Sequence, residues 1–341
     1  MSTTTTLESP QLQAPVLKAA VAPAPRTDAY GVQLLLLLLT LLTTTLIGMR
    51  YAYDFQLGRA PLTSSTDILP YQWAWDHLDL YANGLPFSLT LIAILLAHEF
   101  GHYAACRMYG VEATLPFIFP APTLSGTFGA VIRIRSSIQS RAALIVIGAS
   151  GPIAGFVVAI ATTCFGLLHS RAIVGQPLPS MVRIAAPGLM PLLRHLLLHH
   201  NPGIPPLLQM VPHPVLVASW IGLLITSFNL IPAGQLDGGH ILYALSPRAY
   251  KISHHLMIGG LIYLGIVVWV GWLFWAGLLM LPSMQHPKVC KAADKSPLGL
   301  GFLALAPVSI AIFALTASTQ PCSEMSLVDL LFRVHWGIWI R

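Results

Sequence analysis

Residues Leu91–His102 read LIAILLAHEFGH, and the fold turns on where this stretch is placed. It belongs to an apolar run from about Pro86 to Met108, roughly the 20 residues that a helix needs to cross a bilayer. Glu99 is the only acid between Asp79 and Glu112. An ionisable side chain inside such a run is costly in lipid and is there, by default, for a purpose. On a helix His98 and His102 are four residues apart and project from one face, with Glu99 beside the first. At the helical rise, His102 lies about 7–8 Å along the axis from Arg107 and His98 about 13–14 Å. With Arg107 at the interface, the pair is submerged, closer to one surface than to the other.

The composition fits a chain that lives mostly in lipid. Of 341 residues, 55% are hydrophobic and 9% charged, against about 25% charged in soluble domains. Mean hydropathy is +0.71. The net charge of +6 is explained by basic residues flanking spans beside anionic headgroups, and calls for no nucleic acid. The four cysteines, Cys106, Cys164, Cys290 and Cys322, have neither zinc-like nor redox-like spacing.

Working outward, six apolar runs have spanning length: 32–49, 86–108, 142–168, 214–233, 256–281 and 300–318. They predict an all-α polytopic membrane protein of about six transmembrane helices over 31–320. A Thr-, Ala- and Pro-rich stretch at 1–30 reads as a disordered tail, and 321–341 as a C-terminal tail. Between the second and third runs, Pro116, Pro120 and Pro122 argue against a spanning helix. Thr127–Arg135 alternates there, with Phe128, Ala130, Ile132 and Ile134 on one face. Non-helical backbone at this depth needs protein or a wet cavity to cover it, so a small membrane-associated β-hairpin or re-entrant element is expected. In the 169–213 loop, LMPLLRHLLLHH predicts an interfacial amphipathic helix rather than a span.

With six spans, both termini share a side with the 109–141 and 246–253 loops. That side holds ten of the eighteen Lys and Arg residues and the other holds eight, a small margin for cytoplasmic termini.

His98, Glu99 and His102 form the pattern H-E-x-x-H, in which two histidines hold zinc and the glutamate acts as general base. The metal would lower the pKa of a water toward about 7, and Glu99 would take the proton as that water attacks a carbonyl. A catalytic zinc also wants a third protein ligand. The segment SFNLIPAGQLDGGH, residues 227–240, offers Asp237, the only acid between Glu112 and Asp294. Pro232, Gly234, Gly238 and Gly239 break helix continuity around it. Asp237 could instead cap a helix beginning GGHILYAL, and both roles can hold together. Depth supplies a separate check. From Pro86, residues 98–102 lie about 18–24 Å in, and from Val215, Asn229 lies about 21 Å in. The second and fourth spans run in the same direction, so the two motifs reach one level.

The pieces HEFGH (98–102), GTFGAV (126–131), GPIAG (151–155) and NLIPAGQLDGG (229–239) together resemble the site-2 protease family of intramembrane zinc proteases. The resemblance covers the second to fourth spans. It implies one Zn2+ per chain held by His98, His102 and Asp237, with Glu99 as base. A hairpin around Gly126, Thr127, Phe128 and Gly129 would clamp an extended substrate by strand addition. Asn229 would contact the substrate carbonyl or the developing oxyanion, although an interhelical hydrogen bond is an equal alternative. The implied partners are transmembrane protein substrates and the lipid bilayer, and the implied setting is a bacterial inner membrane. Neither a PDZ nor a CBS module is recognisable.

A catalytically silent relative, acting as a membrane binding protein or chaperone, and a metal transporter are the rival readings. Gly151 and Gly155 read as a helix-packing pair. His195, His199 and His200 read as polar residues of the interfacial helix, and His240 as a possible neighbour of the metal.

Overall fold

A computed structural model describes residues 30–61, 70–138, 140–173, 186–282 and 299–318. The expected tails lie outside the described residues, apart from Tyr30, which begins the first helix.

Among the described residues, three helical stretches are long and apolar enough to cross a membrane. They are α1 (Tyr30–Gln56), the stretch Leu78–Met108, and α4 (Arg141–His169). The second joins a 3-10 turn (Leu78–Leu80) to α3 (Tyr81–Met108), with the short α2 (Tyr71–Asp76) before it. α3 begins five residues earlier than the apolar run implied, because Pro86 in its second turn removes only one ladder bond. These are the first three expected spans.

The later runs depart from expectation. The fourth, read as 214–233, ends as helix α6 (Pro214–Asn229). Pro232 lacks the donor to continue it, and Gly234 has a φ of +59°. After this turn, α7 (Asp237–Leu245) begins. The fifth run, read as 256–281, is two helices: α8 (Pro247–Val267), which starts behind the cap Ser246, and α9 (Gly271–Met280). α9 turns back along α8, so that Leu261 and Leu264 share a cluster with Trp272, Ala276 and Leu279. The β-branched run Ile266–Val268 followed by Val270–Gly271 weakens the helix at the break. Gly265 makes room for the return, since a Cβ there would lie 2.6 Å from the Leu273 side chain. The sixth run is α10 (Leu300–Thr316).

Between α3 and α4 lies the expected hairpin. β1 (Phe117–Pro120) pairs antiparallel with β2 (Thr127–Val131), with a register shift at Phe119/Pro120. An isolated Ala113↔Ile134 bridge extends it. The expected common face for residues 128–134 holds only in part. Ile132 and Ile134 pack on Ala105, Cys106 and Ile147, and Ala130 packs on the main core. Phe128 is 72% exposed, because Gly129 at φ +102° lies between it and Ala130 and breaks the extended alternation.

α1 holds this hairpin by its backbone. Gln33 Nε2 donates to Leu115 O (2.8 Å), Thr40 Oγ1 to Ile118 O (3.1 Å), Thr43 Oγ1 to Gly126 O (2.7 Å) and Tyr51 Oη to Leu124 O (3.0 Å). Tyr71 of α2 adds a bond to Ala121 O at 3.1 Å. A dry interior leaves carbonyls in need of donors, and the Thr- and Gln-bearing face of an otherwise apolar helix supplies them.

The helices meet without side chains at several points. A Cβ on Gly48 would lie 2.5 Å from Gly84 O, and one on Gly84 would strike Thr45 O. One on Gly101 would strike Ser150 O, and one on Gly166 would lie 2.7 Å from Leu216 Cα. Small residues allow this close approach in lipid, where van der Waals packing drives association. The expected interfacial helix is α5 (Leu189–Leu198), with Leu193 and Leu197 on the core and Leu192 and Leu196 exposed. A two-residue ladder, β3 (Arg171–Ala172) with β4 (Met210–Val211), closes the loop around it.

Candidate metal centre

His98 and His102 sit in the second half of α3, 4% and 7% exposed, on the face that packs against α4. Their rings fit because α4 presents Gly151 and Gly155 there. A Cβ on Gly151 would overlap the His102 ring, and one on Gly155 would lie 3.1 Å from His98 Cβ. The two glycines expected as a packing pair are thus also the wall of the site. His102 Nδ1 donates to Ile147 O at 2.6 Å, which fixes its tautomer and leaves Nε2 free as a ligand atom.

Asp237 arrives from the other direction. The turn after α6 carries it to the first residue of α7, whose N-terminal dipole favours a carboxylate. It does not cap this helix: the N-cap is Leu236, and no side-chain cap bond forms. Its oxygens instead face the histidines, Oδ2 3.1 Å from His98 Nε2 and Oδ1 3.3 Å from His102 Nε2. The two Nε2 atoms are 3.1 Å apart. Arg141, at the start of α4, donates to Ala244 O and Leu245 O at 2.7 and 3.0 Å and so fastens the far end of α7.

These donors fit zinc. A tetrahedral ion with bonds of about 2.0–2.1 Å holds its ligand atoms about 3.3 Å apart; the two Nε2 atoms are 3.1 Å apart, Asp237 reaches them through different oxygens at 3.1 and 3.3 Å, and one ligand atom from each of the three residues lies within 4.8 Å of the others. The set of two imidazoles and one carboxylate leaves a fourth position open, as catalytic zinc requires. Among the described residues this is the one group of three or more such side chains arranged to hold a metal ion.

Glu99 is buried at 5% exposure and accepts a hydrogen bond from the backbone N–H of Ile132, just past β2. The strand region and the glutamate therefore touch. Asn229, the last residue of α6, places Nδ2 3.2 Å from His98 Nε2, so the two motifs expected at one depth do meet. Of the hairpin residues, Gly126 is committed to packing, since a Cβ there would lie 2.7 Å from Thr44 Cα. Thr127 donates back to Phe119 O at 2.7 Å. Phe128 is exposed and Gly129 is buried, although a Cβ on Gly129 would meet nothing within 4 Å. His195 lies on α5 and His199 is its C-cap, their ring centroids 5.8 Å apart, and neither belongs to this group. His240 packs its Cβ near Gly148. Sequence reasoning missed the Ile147 carbonyl and Arg141, because a backbone acceptor leaves no residue signature.

Residues 86–270 match the family model described as Peptidase family M50. The probable zinc metalloprotease EGY2, chloroplastic, of Arabidopsis thaliana is 32% identical over 226 residues, 65% of this chain and 39% of that protein. The rice (Oryza sativa subsp. japonica) probable zinc metalloprotease EGY1, chloroplastic, is 28% identical over 64% of this chain and 37% of its own length. The Arabidopsis EGY1 counterpart is 27% identical over 82% and 50%. This chain therefore spans half or less of the length of these relatives.

Proposed function

The chain belongs to peptidase family M50, the site-2 protease family, and from that premise we propose that it is an intramembrane zinc endopeptidase acting on transmembrane protein substrates. The observation that carries this reading is the convergence of His98, His102 and Asp237 from two helices, close enough to share one metal ion, beside the buried Glu99.

In this reading each residue has one task. His98, His102 and Asp237 hold Zn2+. Bound there, the ion polarises water and the scissile carbonyl. Glu99 takes the proton from the attacking water and passes it to the leaving amine. Asn229, adjacent to His98, donates its amide to the oxyanion as charge develops. The hairpin segment Gly126–Gly129, with Phe128 exposed, and the β2 edge receive the substrate as an added strand. A substrate helix hides its carbonyls in its own bonds, so it must unwind first, and helix-breaking residues in a substrate should speed cleavage.

The architecture proposed for 31–320 is one transmembrane domain with six crossings: α1, α3, α4, α6 with its turn, α8 and α10, with α9 folded back on α8. The termini and the metal centre lie toward the cytoplasmic side. The relatives are chloroplastic by name, which departs from the bacterial inner membrane expected from the sequence. Residence as an integral membrane protein is the part that stands.

The test uses purified protein in detergent with a single-span model substrate and a zinc assay. Wild type should cleave, and Glu99→Gln should lose about 100-fold or more in rate, the scale of a general base, while keeping its zinc. Zinc bound by both with cleavage by neither would sink the protease reading in favour of a silent relative or a transporter.

A further inference from the structure

α8 lies outside the sequence motifs, yet one face of its first half is spent on the turn that delivers Asp237. Three side chains at helical spacing, Tyr250, Ser253 and His254, each bond the backbone of that turn. Tyr250 Oη donates to Gly234 O at 3.2 Å, Ser253 Oγ donates to Pro232 O at 2.8 Å, and His254 Nδ1 accepts from Gly234 N–H at 3.2 Å. Gly234 is thus gripped at both of its polar backbone groups. Tyr250 and His254 are 6% and 9% exposed and stack on one another, ring centroids 5.9 Å apart at 17°.

The turn needs such help. A segment between two helices has N–H and C=O groups that helix geometry does not satisfy, and at this depth water is scarce. Gly234 has positive φ, and its carbonyl also abuts Gly239, where a Cβ would lie 2.5 Å away. Gly238 packs as closely on Leu230 O. The turn and the first coil of α7 are therefore one close-packed body without side-chain slack. Moving Gly234 moves Asp237.

We propose that Tyr250, Ser253 and His254 of α8 are positioning residues that set the carboxylate of Asp237 at the metal centre by fixing Pro232–Gly234. The inference rests on His98, His102 and Asp237 being the zinc ligands. None of the three touches the metal, so their effect is on how well the ligand set is preorganised. Partners that orient metal ligands are typically worth about 10–100-fold in metal affinity.

The experiment measures the zinc dissociation constant of the full chain in detergent, by competition with a chromophoric chelator, together with the melting temperature of zinc-stripped protein. His254→Leu removes the acceptor, and His254→Asn returns one near the position of Nδ1. Tyr250→Phe with Ser253→Ala removes two donors at almost no change in volume. His254→Leu and the double variant should weaken zinc binding about tenfold or more, and His254→Asn should recover most of the loss. Zinc-stripped wild type and His254→Asn should melt together. If His254→Leu does not fold, the double variant decides. Wild-type affinity in both the His254→Leu and double variants, or a His254→Asn protein as weak as His254→Leu, would overturn the proposal. A wild type that takes up no zinc overturns the reading of the centre itself, a separate failure.

Discussion

At Gly151 a methyl group would occupy the space of the His102 imidazole, whose tautomer is already fixed by Ile147 O. Gly151→Ala should therefore cost zinc rather than fold: about a tenfold or larger loss of affinity, read as zinc per chain after dialysis against chelator. At Gly155 a Cβ would be 3.1 Å from His98 Cβ, so Gly155→Ala should be milder, and equal losses at both sites would contradict this account. The spacing of these glycines made a close helix contact legible in the sequence. What they contact was not legible, because a small-residue pattern specifies distance and carries no chemistry. The candidate ligands were legible for the opposite reason. Asp237 is the only acid between Glu112 and Asp294, and His98 and His102 stand four apart beside Glu99 in an apolar run; an ionisable group in such a place announces a function that a glycine does not.

Elements show the same division. α6 starts where His213 caps it, Nδ1 accepting from Val215 N–H at 3.2 Å. Only an imidazole without a proton on Nδ1 can do this. Burial, with His169 and Arg171 nearby, holds the His213 pKa below its ordinary value of 6.5. The sign follows: the unfolded chain binds this proton more readily, so the cap's contribution is whole above about pH 6.5 and is lost as pH falls. The melting temperature should drop by a few degrees between pH 7.5 and 5.5. His213→Asn, whose amide oxygen caps at either pH, should flatten part of that drop, and an unchanged slope would refute the role. Nothing in the sequence marked His213, since capping by histidine has no spacing rule. The break between α8 and α9 was hidden too, because hydropathy runs unchanged through Val268–Val270, and it is the Gly265–Leu273 contact that selects the turn. The hairpin was legible from its prolines and alternation. Phe128 was misplaced because a glycine at positive φ is invisible to a period-two pattern.

For the whole molecule, the shared depth of His98 and Asn229 followed from counting residues along two spans, and their contact at 3.2 Å bears out that count. The number of crossings is harder to read, since α6 has 16 residues, about 24 Å of helix, and completes its path through a turn. Six crossings predict that Asn201, beyond α5, and Arg248, in the first turn of α8, lie on opposite sides. With the four native cysteines replaced, Asn201→Cys and Arg248→Cys should react with an impermeant thiol reagent from opposite faces of oriented vesicles. Labelling from one face would remove the fourth crossing.

The glycine contacts have a mechanical consequence. Where Gly48 meets Gly84, Gly101 meets Ser150 and Gly166 meets Leu216, there are no rotamers between the backbones to rearrange. A joint of that kind has little slack, so α1, α3, α4 and α6 are expected to move as one slab. In the proposed protease, admission of a peptide chain would then fall to parts outside the slab, namely the hairpin, α5 and the α8–α9 pair. The histidines would keep their places while those attachments moved.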